Sequence, residues 1–191
     1  MEFDVKAIST DSSVVKDVWV FQVDSKNRWS LIEETLGHSF GAEKRHGLTV
    51  LMADDDFDDC FLAREAWDEL QTDHRLRFVH DGQEVLDYIY HKGSYQDQLA
   101  SPSPALILLD LNMPKKNGFE VLGTLRDDPQ LRTIPIIVFT TTKNTSQIVQ
   151  AYRAGANAFI SKPTTYEGYV AILRAIEGFW LTLIELPINK T

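Results

Sequence analysis

Cysteine is nearly absent from this chain, which has 191 residues and one cysteine, Cys60. A single cysteine excludes an internal disulfide and any zinc site built from several cysteines. Long apolar runs are missing too, since none approaches the roughly 18 residues that a membrane-spanning helix requires. The start, Met1-Glu2-Phe3-Asp4, has neither the basic residues nor the apolar stretch of a secretory signal. These absences predict a soluble, cytoplasmic protein with no membrane partner.

Positive charge is also scarce, with 19 basic residues against 28 acidic ones and a net charge of −9. An isoelectric point near 5.0 argues against non-specific nucleic-acid binding, which needs lysine and arginine to neutralise phosphates. It is compatible with bound cations or basic partners. The 43% of hydrophobic and 25% of charged residues are ordinary for a globular chain long enough to bury a sizeable core. We therefore expect no nucleic-acid partner.

The N-terminal quarter carries weak structural signals. Val18–Val23 and Trp29–Ile32 have the composition of two short strands with a turn between them, which predicts a hairpin. A two-stranded hairpin is marginal alone, so it should pack against another surface. The polar, glycine-containing stretch 37–47 is typical of a linker. We interpret residues 1–47 as an N-terminal extension of unknown role and residues 48–187 as the main domain.

From Leu48 onward, five apolar runs alternate with five helical patterns. The runs are Leu48–Ala53, Leu76–Val79, Ala105–Leu109, Pro135–Phe139 and Ala158–Ser161. The helical patterns are Asp58–Leu70, Gln83–His91, Phe119–Arg126, Ser146–Ala154 and Tyr166–Glu185. Such alternation predicts a parallel sheet with helices on both faces. The apolar character of the strands is mostly continuous rather than alternating, as expected where both faces are buried. The predicted fold class is α/β.

Polar side chains follow four of the predicted strands. They are Asp54-Asp55-Asp56 after the first strand, Asp110 after the third, Thr140 after the fourth and Lys162 after the fifth. In an open α/β sheet, ligand sites lie outside these carboxyl ends. We therefore expect several carboxylates, a hydroxyl and an ammonium to converge at one edge of the sheet.

The predicted cluster suits a divalent cation and a phosphoryl group. Carboxylates forced together raise one another's pKa unless a cation lies between them. Mg²⁺ prefers oxygen ligands and binds through one or two carboxylates plus waters. The metal, Lys162 and Thr140 would together neutralise and position a phosphoryl group. Asp110, the lone acid after its strand, is then the predicted nucleophile and would carry an acyl phosphate.

Three other interpretations use some of the same acidic residues. Asp56 and Asp58 are suited to capping the helix that follows them. In a phosphatase of the haloacid-dehalogenase type, Asp54 would be the nucleophile and Asp56 the acid–base group, which leaves Asp110 unexplained. In a calcium-binding EF-hand loop, Asp54, Asp56, Asp58 and Glu65 would occupy ligand positions, although the glycine that such a loop needs is absent.

Several motifs, in order and spacing, resemble the receiver domain of bacterial response regulators. They are Asp54-Asp55, Ile107-Leu108-Leu109 leading into Asp110-Leu111-Asn112-Met113-Pro114, Gly118, Ile134–Thr140, Gly155-Ala156-Asn157 and Lys162-Pro163. The resemblance runs from about Leu48 to Pro187. The Asp110–Pro114 segment and Phe179-Trp180-Leu181 resemble the single-domain regulators that partner bacterial phytochrome kinases.

The resemblance implies a five-stranded, doubly wound parallel sheet of the flavodoxin-like receiver type and a role in two-component signal transduction. It implies Asp110 as phosphoacceptor, with Thr140 and Lys162 contacting the phosphoryl group. The Mg²⁺ ligands that it implies are Asp54, Asp55, Asp110 and the main-chain carbonyl of Asn112. The donor would be a sensor histidine kinase, of phytochrome type in the narrower match, or a histidine phosphotransfer protein. No enzyme activity is implied beyond self-phosphorylation and self-dephosphorylation.

The resemblance also implies a conformational switch. Phe159 falls at the family's aromatic switch position. On phosphorylation Thr140 would move toward the added oxygens, and Phe159 would turn inward into the vacated space. The signal would appear on the face made by the fourth helix, fifth strand and fifth helix of the alternating pattern. Alternatively, Phe159 is an ordinary core residue. The Lys162-Pro163 peptide bond is expected to be cis.

The last predicted helix is apolar over an arc wider than one stripe, which indicates a second buried face. We predict a homodimer through the helix 4/strand 5/helix 5 end; the alternative is that the N-terminal hairpin covers this face. Few residues follow the helix, so we expect no DNA-binding output domain, and output by protein contact or phosphorelay. A receiver-like docking module that acts without phosphorylation is the remaining alternative.

Overall fold

A computed structural model of the chain describes residues 21–23, 29–31 and 47–187. The chain divides into two compact units, Met1–Gly41 and Ala42–Thr191. In the first unit, β1 (Phe21–Val23) and β2 (Trp29–Leu31) pair antiparallel, with Gln22 opposite Ser30. The linker predicted over 37–47 lies outside the described residues except for Gly47.

The second unit contains five strands in one parallel sheet. They are β3 (Thr49–Ala53), β4 (Arg75–Val79), β5 (Leu106–Leu109), β6 (Ile136–Thr140) and β7 (Ala158–Ser161). The spatial order is β4-β3-β5-β6-β7, and every pairing is parallel. β4 and β5, the next two strands in sequence, lie on opposite sides of β3. This is a topological switch point, and a ligand site is expected at the carboxyl end of the sheet beside β3. The predicted fold class is confirmed.

Five α-helices connect and follow these strands. They are α1 (Phe57–Glu69), α2 (Gly82–Ile89), α3 (Gly118–Asp127), α4 (Thr145–Arg153) and α5 (Tyr166–Ile176). Each begins at a polar residue whose side chain accepts a hydrogen bond from a backbone N–H of the first turn, which satisfies a donor that the helix itself leaves free. The five capping residues are Asp56, Asp81, Asn117, Asn144 and Thr165.

The sheet carries a hydrophobic core on each face. On one face, Leu51 and Ile107 pack with buried residues of α2, α3 and α4. On the other, Met52 and Leu108 pack with buried residues of α1 and α5. Neighbouring strand residues point to opposite faces, so a strand with both faces covered must be apolar at every position. The arrangement explains the continuous apolar runs and is the predicted doubly wound form.

The end of the last helix differs from the prediction. Instead of an α-helix over Tyr166–Glu185, α5 ends at Ile176 and π-helical turns follow over Glu177–Leu183. These wider turns place Leu181 fully in the core while Phe179 stays 45% exposed. Apolar spacing alone does not distinguish the two helix types, because both wind side chains onto a broad face. None of the helices among the described residues combines the length and apolar character that a membrane span requires.

Candidate functional site

The predicted site residues meet at the carboxyl edge of the sheet. Asp54 directly follows β3, Asp110 follows β5, Thr140 ends β6, and Lys162 follows β7. An open cleft of about 550 Å³ lies there. Its lining residues are Asp55, Asp56, Phe57, Asp58, Asp59, Asp110, Asn112, Thr141 and Lys162. The convergence predicted from the strand ends is therefore present for the carboxylates and the ammonium, whereas Thr140 is not among the residues that line the cleft.

Three carboxylates form a compact acidic cluster. Asp54, Asp55 and Asp110 each offer an oxygen, and these oxygens lie within 4.8 Å of one another. Asp54 is fully buried, Asp110 is 6% exposed, and Asp55 is open to solvent. Burial raises the pKa of Asp54 from 3.8 to about 6, and the charge of Asp110 adds to the rise, although Lys162 opposes it. A hard divalent cation at this donor set would relieve the repulsion, so the residues present fit Mg²⁺.

Asp110 is held in a defined orientation. Its Oδ1 accepts hydrogen bonds from the backbone N–H groups of Leu111 at 2.6 Å and Asn112 at 3.3 Å. Its Oδ2 lies 3.1 Å from Lys162 Nζ. One carboxylate oxygen is thus occupied by the backbone, while the other faces the ammonium. Asn112, whose carbonyl was predicted to contact the metal, lines the same cleft.

The Lys162 ammonium lies among three carboxylates. Nζ is 2.6 Å from Asp54 Oδ2, 2.7 Å from Asp59 Oδ2 and 3.1 Å from Asp110 Oδ2. Burial disfavours the charged form, but hydrogen bonds to Asp54 and Asp59 and the nearby negative charges outweigh it and raise the pKa of Lys162. Lysine at this position is therefore a buried, fully charged group rather than an ordinary surface residue.

The predicted cis form of the Lys162-Pro163 bond is wrong for this structure, in which the described residues contain no cis peptide bond. Trans is the lower-energy isomer of X-Pro bonds in general. In the trans form the Lys162 backbone N–H donates to the Thr140 carbonyl at 2.8 Å, which continues the pairing of β7 with β6. The side chain reaches the acidic cluster from this backbone position.

Thr140 supplies a buried hydroxyl without a protein partner. Its side chain is fully buried, and Oγ1 makes no hydrogen bond with any described residue. An unsatisfied buried hydroxyl is unfavourable unless a ligand or a conformational change gives it a partner. On the neighbouring strand, Phe159 is half-buried and packs against the core beside α4. The two residues predicted to form a switch therefore lie on adjacent strands, with Val138 paired to Phe159.

Two contributors to the site escaped the sequence analysis. Asp59, in the first turn of α1, contacts Lys162. The Tyr169 hydroxyl, from α5, donates to Asp59 Oδ1 at 2.6 Å. The local signal for the first of them is its place in the first turn of the helix that directly follows the acidic strand end. No local signal pointed to Tyr169, which is 110 residues away from Asp59.

The other acidic residues of the first strand end have structural positions. Asp56 caps α1, since its Oδ1 accepts from the backbone N–H groups of Asp58 and Asp59. The capping interpretation is confirmed for this residue, and its carboxylate is committed to the helix rather than free for the acid–base role of a phosphatase. The calcium-loop hypothesis is wrong, because α1 begins at Phe57 and already contains Asp58 and Glu65.

Sheet order, strand-end acids and the buried lysine together define a known class of protein. The chain belongs to the response regulator receiver domain family, which matches residues 50–174. Response regulator Rcp1 of Synechocystis sp. is 34% identical over 138 residues, covering 72% of this chain and 92% of Rcp1.

Two solved structures share this fold. The Mn²⁺-bound form of Rcp1 has 33% sequence identity and a TM-score of 0.67, covering 74% of this chain and 99% of that one. The phosphorylated cyanobacterial phytochrome response regulator RcpA has 34% identity and a TM-score of 0.69, with coverage of 74% and 99%. The chain is similar to phytochrome-associated response regulators in both sequence and structure.

The family assignment establishes the general function. The chain is a receiver-domain response regulator of two-component systems. Members of this family are generally signalling proteins rather than enzymes, and phosphoaspartate and Mg²⁺ are typical of them. Receiver domains bind Mg²⁺ or Mn²⁺ at an acidic pocket, and the cluster of Asp54, Asp55 and Asp110 fits such a site. The similarity to phytochrome response regulators points to a histidine kinase as the partner.

Proposed function

We propose that this response regulator accepts a phosphoryl group on Asp110 in a Mg²⁺-dependent reaction. The donor is a sensor histidine kinase of the phytochrome type or a histidine phosphotransfer protein. The observation that carries the proposal is the setting of Asp110, which has the Lys162 ammonium at 3.1 Å and two further carboxylates within 4.8 Å. A carboxylate placed between an ammonium and a cation-binding acidic cluster is suited to accept a phosphoryl group.

The transfer step follows from the orientation of these groups. Asp110 Oδ2 attacks phosphorus in line, a new O–P bond forms, and the P–N bond to the donor histidine breaks with its electron pair remaining on the imidazole nitrogen. Lys162 donates to an oxygen of the incoming group, and the Thr140 hydroxyl, which lacks a described partner, donates to another. Mg²⁺ held by Asp54, Asp55, Asp110 and the main-chain carbonyl of Asn112 would supply further charge neutralisation. The same groups serve the hydrolytic loss of the phosphoryl group, in which water attacks phosphorus and the O–P bond to Asp110 breaks, so that inorganic phosphate leaves.

Output passes through the face formed by α4, β7 and α5. Movement of Thr140 toward the phosphoryl oxygens frees space on β6, and the half-buried Phe159 ring on β7 turns into it. On α4 this region exposes Val149 to 43% and Tyr152 to 50%, and these are apolar surfaces that a partner can cover. The signal is passed by protein contact or by phosphorelay, and the protein catalyses no reaction other than its own phosphorylation and dephosphorylation.

The α4–β7–α5 end also mediates homodimer formation in this proposal. Beyond α5, Phe179 is 45% exposed and Leu183 36% exposed in the π-helical turns. Exposed apolar side chains of this kind favour association when a partner covers them. Sedimentation analysis at micromolar concentration tests this part separately: a dimer is expected, and a monomer that persists across the concentration range contradicts it.

The central experiment is an intact-mass measurement after incubation with acetyl phosphate and Mg²⁺. We expect one added phosphoryl group on the unmodified protein and on the control variant Asp58→Asn, which removes a cleft carboxylate that makes no contact with Lys162. We expect no adduct without Mg²⁺ or in Asp110→Asn. An adduct that persists in Asp110→Asn means that another residue is the acceptor. No adduct on the unmodified protein, while a control receiver is labelled, favours a docking module that acts without phosphorylation.

A further inference from the structure

The three carboxylates around Lys162 differ in what else they do. Asp54 and Asp110 belong to the acidic cluster that fits a divalent cation. Asp59 does not belong to that cluster, yet its Oδ2 lies 2.7 Å from Nζ, which is closer than Asp110 Oδ2 at 3.1 Å. The ammonium is thus in contact with two carboxylates that belong to the acidic cluster and with one, Asp59, that does not.

A divalent cation and the ammonium compete for two of these acceptors. Both are positive, and Asp54 Oδ2 lies only 2.6 Å from Nζ. A cation bound by Asp54 and Asp110 would offset their negative charge, so these two carboxylates would stabilise the ammonium less. A buried ammonium that loses its acceptors is strongly destabilised, so it either opposes the cation or withdraws from the site. An acceptor that the cation does not engage would keep the ammonium in the site while the cation is bound.

Asp59 is fixed independently of the acidic cluster. Its Oδ1 accepts a hydrogen bond from the Tyr169 hydroxyl at 2.6 Å, which leaves Oδ2 for Lys162. The Tyr169 side chain is fully buried and packs edge-to-face on Phe139, with ring centroids 5.9 Å apart. α1 and α5 thus hold this pair from two sides, through a hydrogen bond that involves no residue of the acidic cluster.

We propose that Asp59 is a positioning residue, the acceptor that keeps the Lys162 ammonium beside Asp110 when a divalent cation engages Asp54 and Asp110. Held in this way, the ammonium stays available to an oxygen of the phosphoryl group. Tyr169 supports the arrangement by orienting the Asp59 carboxylate. The role of Asp59 in phosphoryl transfer rests on the proposed function. The expected effect of Asp59 on metal binding rests on the contacts of the unphosphorylated protein alone.

The test measures Mg²⁺ affinity of the full chain by calorimetric titration at about 0.15 M salt, where distant surface charges are screened. We expect Asp59→Asn to weaken Mg²⁺ binding roughly tenfold, as removal of groups that orient a metal site does. Tyr169→Phe should weaken it about threefold, since one hydrogen bond is lost and the ring packing is kept. Asp58→Asn removes the same charge from the same cleft without a contact to Lys162, and it should change the affinity by about twofold or less.

A second comparison separates positioning from simple loss of negative charge. The effect of Asp59→Asn on Mg²⁺ affinity is measured in the unmodified protein and in the Lys162→Met variant. If Asp59 acts through the ammonium, Asp59→Asn has no further effect in the Lys162→Met variant, and the double-mutant cycle shows strong coupling. Equal weakening in both backgrounds, or equal affinities of Asp59→Asn and Asp58→Asn, overturns the proposal. Circular dichroism and urea unfolding verify that each variant is folded. If Asp59→Asn does not fold, the Mg²⁺ affinity of Tyr169→Phe tests the proposal instead.

The phosphorylation rate gives a readout that distinguishes this inference from the proposed function. With acetyl phosphate as donor, Asp59→Asn should need roughly tenfold more Mg²⁺ for half-maximal rate, in parallel with its lower affinity. If the unmodified protein binds Mg²⁺ but takes up no phosphoryl group, the proposed function fails while the titrations still decide the role of Asp59. If phosphorylation occurs and the Mg²⁺ requirement is the same in Asp59→Asn, the inference fails alone.

Discussion

At the scale of single residues, the site depends on side chains whose charge or reactivity is set by burial. Lys162 remains charged because three carboxylates surround it, while the burial of Asp54 raises its pKa to about 6. Cys60, a buried residue of α1, lies close to them, with its Sγ 3.5 Å from the Asp54 carbonyl oxygen. The same low-dielectric surroundings that strengthen the lysine contacts disfavour a thiolate so close to the carboxylates.

The reactivity of Cys60 gives a pH-dependent prediction. Burial, followed by the charge of Asp54, raises the pKa of this thiol from 9.0 to about 12. Below pH 9 the thiolate fraction is therefore up to roughly a thousandfold lower than that of an ordinary cysteine, and it rises about tenfold per pH unit until the pH approaches 12. We expect iodoacetamide to modify the folded protein very slowly at pH 8 and the urea-unfolded protein readily.

The chain's single cysteine makes the measurement unambiguous, because one mass increment reports one residue. In the folded protein the alkylation rate should rise with pH well beyond pH 9, whereas in the unfolded protein it should level off just above that value. Comparable rates for the folded and unfolded protein at pH 8 contradict the burial of this thiol.

At the scale of elements, the start of α3 holds the loop that follows the phosphoacceptor. A Cβ added at Gly118 would lie 2.3 Å from the Asp110 carbonyl oxygen and 2.8 Å from Leu111 Cα. The Gly118 N–H donates to the Leu111 carbonyl at 2.9 Å, so the two backbone segments are in direct contact. Only a residue without a side chain allows this approach.

Two alanine substitutions in α3 test the close approach. Gly118→Ala must displace backbone atoms, so we expect a loss of about 2 kcal/mol in the free energy of unfolding and slower phosphorylation of Asp110. Gly123→Ala is the matched control, because its Cβ meets no described atom within 4 Å and alanine favours the helix. It should raise stability by up to about 1 kcal/mol. Urea unfolding measures both, and equal stabilities of the two variants contradict the packing described here.

The π-helical turns after α5 give a second prediction at this scale. Leu181 is fully buried in the core beside α1 and α5, while Leu183 is 36% exposed. We expect Leu181→Ala to cost about 3 kcal/mol in unfolding free energy, because it leaves a cavity, and Leu183→Ala to cost less than about 1 kcal/mol. Thermal unfolding of the two variants checks the difference. A larger loss for Leu183→Ala indicates that the segment continues as a regular α-helix and presents the other side chain to the core.

At the scale of the whole molecule, the described part of the receiver unit has its own core on each face of the sheet. The residues grouped into the two clusters all lie within 48–186 among those that the structure describes. We therefore propose that the extension over 1–47 and the receiver domain over 48–187 are separable. A domain of this size with two covered sheet faces buries enough apolar surface to fold by itself.

Deletion of residues 1–41 tests the domain organisation. The shortened protein should unfold cooperatively with urea, and acetyl phosphate with Mg²⁺ should still add one phosphoryl group. The matched control is the full chain measured side by side. Non-cooperative unfolding of the shortened protein means that the extension completes the receiver core.

Much of the fold and of the site followed from the chain alone, because both depend on local patterns. Apolar runs that alternate with helical segments indicate a doubly wound sheet, and side chains directly after parallel strands necessarily share one edge. Asp54, Asp110 and Lys162 were placed by that rule without any contact being known. Apart from the end of the last helix, the boundaries of the elements shifted by a residue or two, since helix caps and turns decide them.

Tertiary structure decided the contacts between residues far apart in sequence. Lys162 and Asp59 are separated by 103 positions, and Asp59 and Tyr169 by 110 positions. Such pairings depend on how α1 and α5 pack on one face of the sheet, which no local pattern encodes. The trans Lys162-Pro163 bond and the π-helical turns after Ile176 are two further features that the local sequence pattern did not indicate. The sequence determined which chemical groups reach the edge of the sheet, because a helix between successive strands makes them parallel and their carboxyl ends then share one edge. Only packing decided which acceptors surround the ammonium, because that depends on the positions of two helices at once.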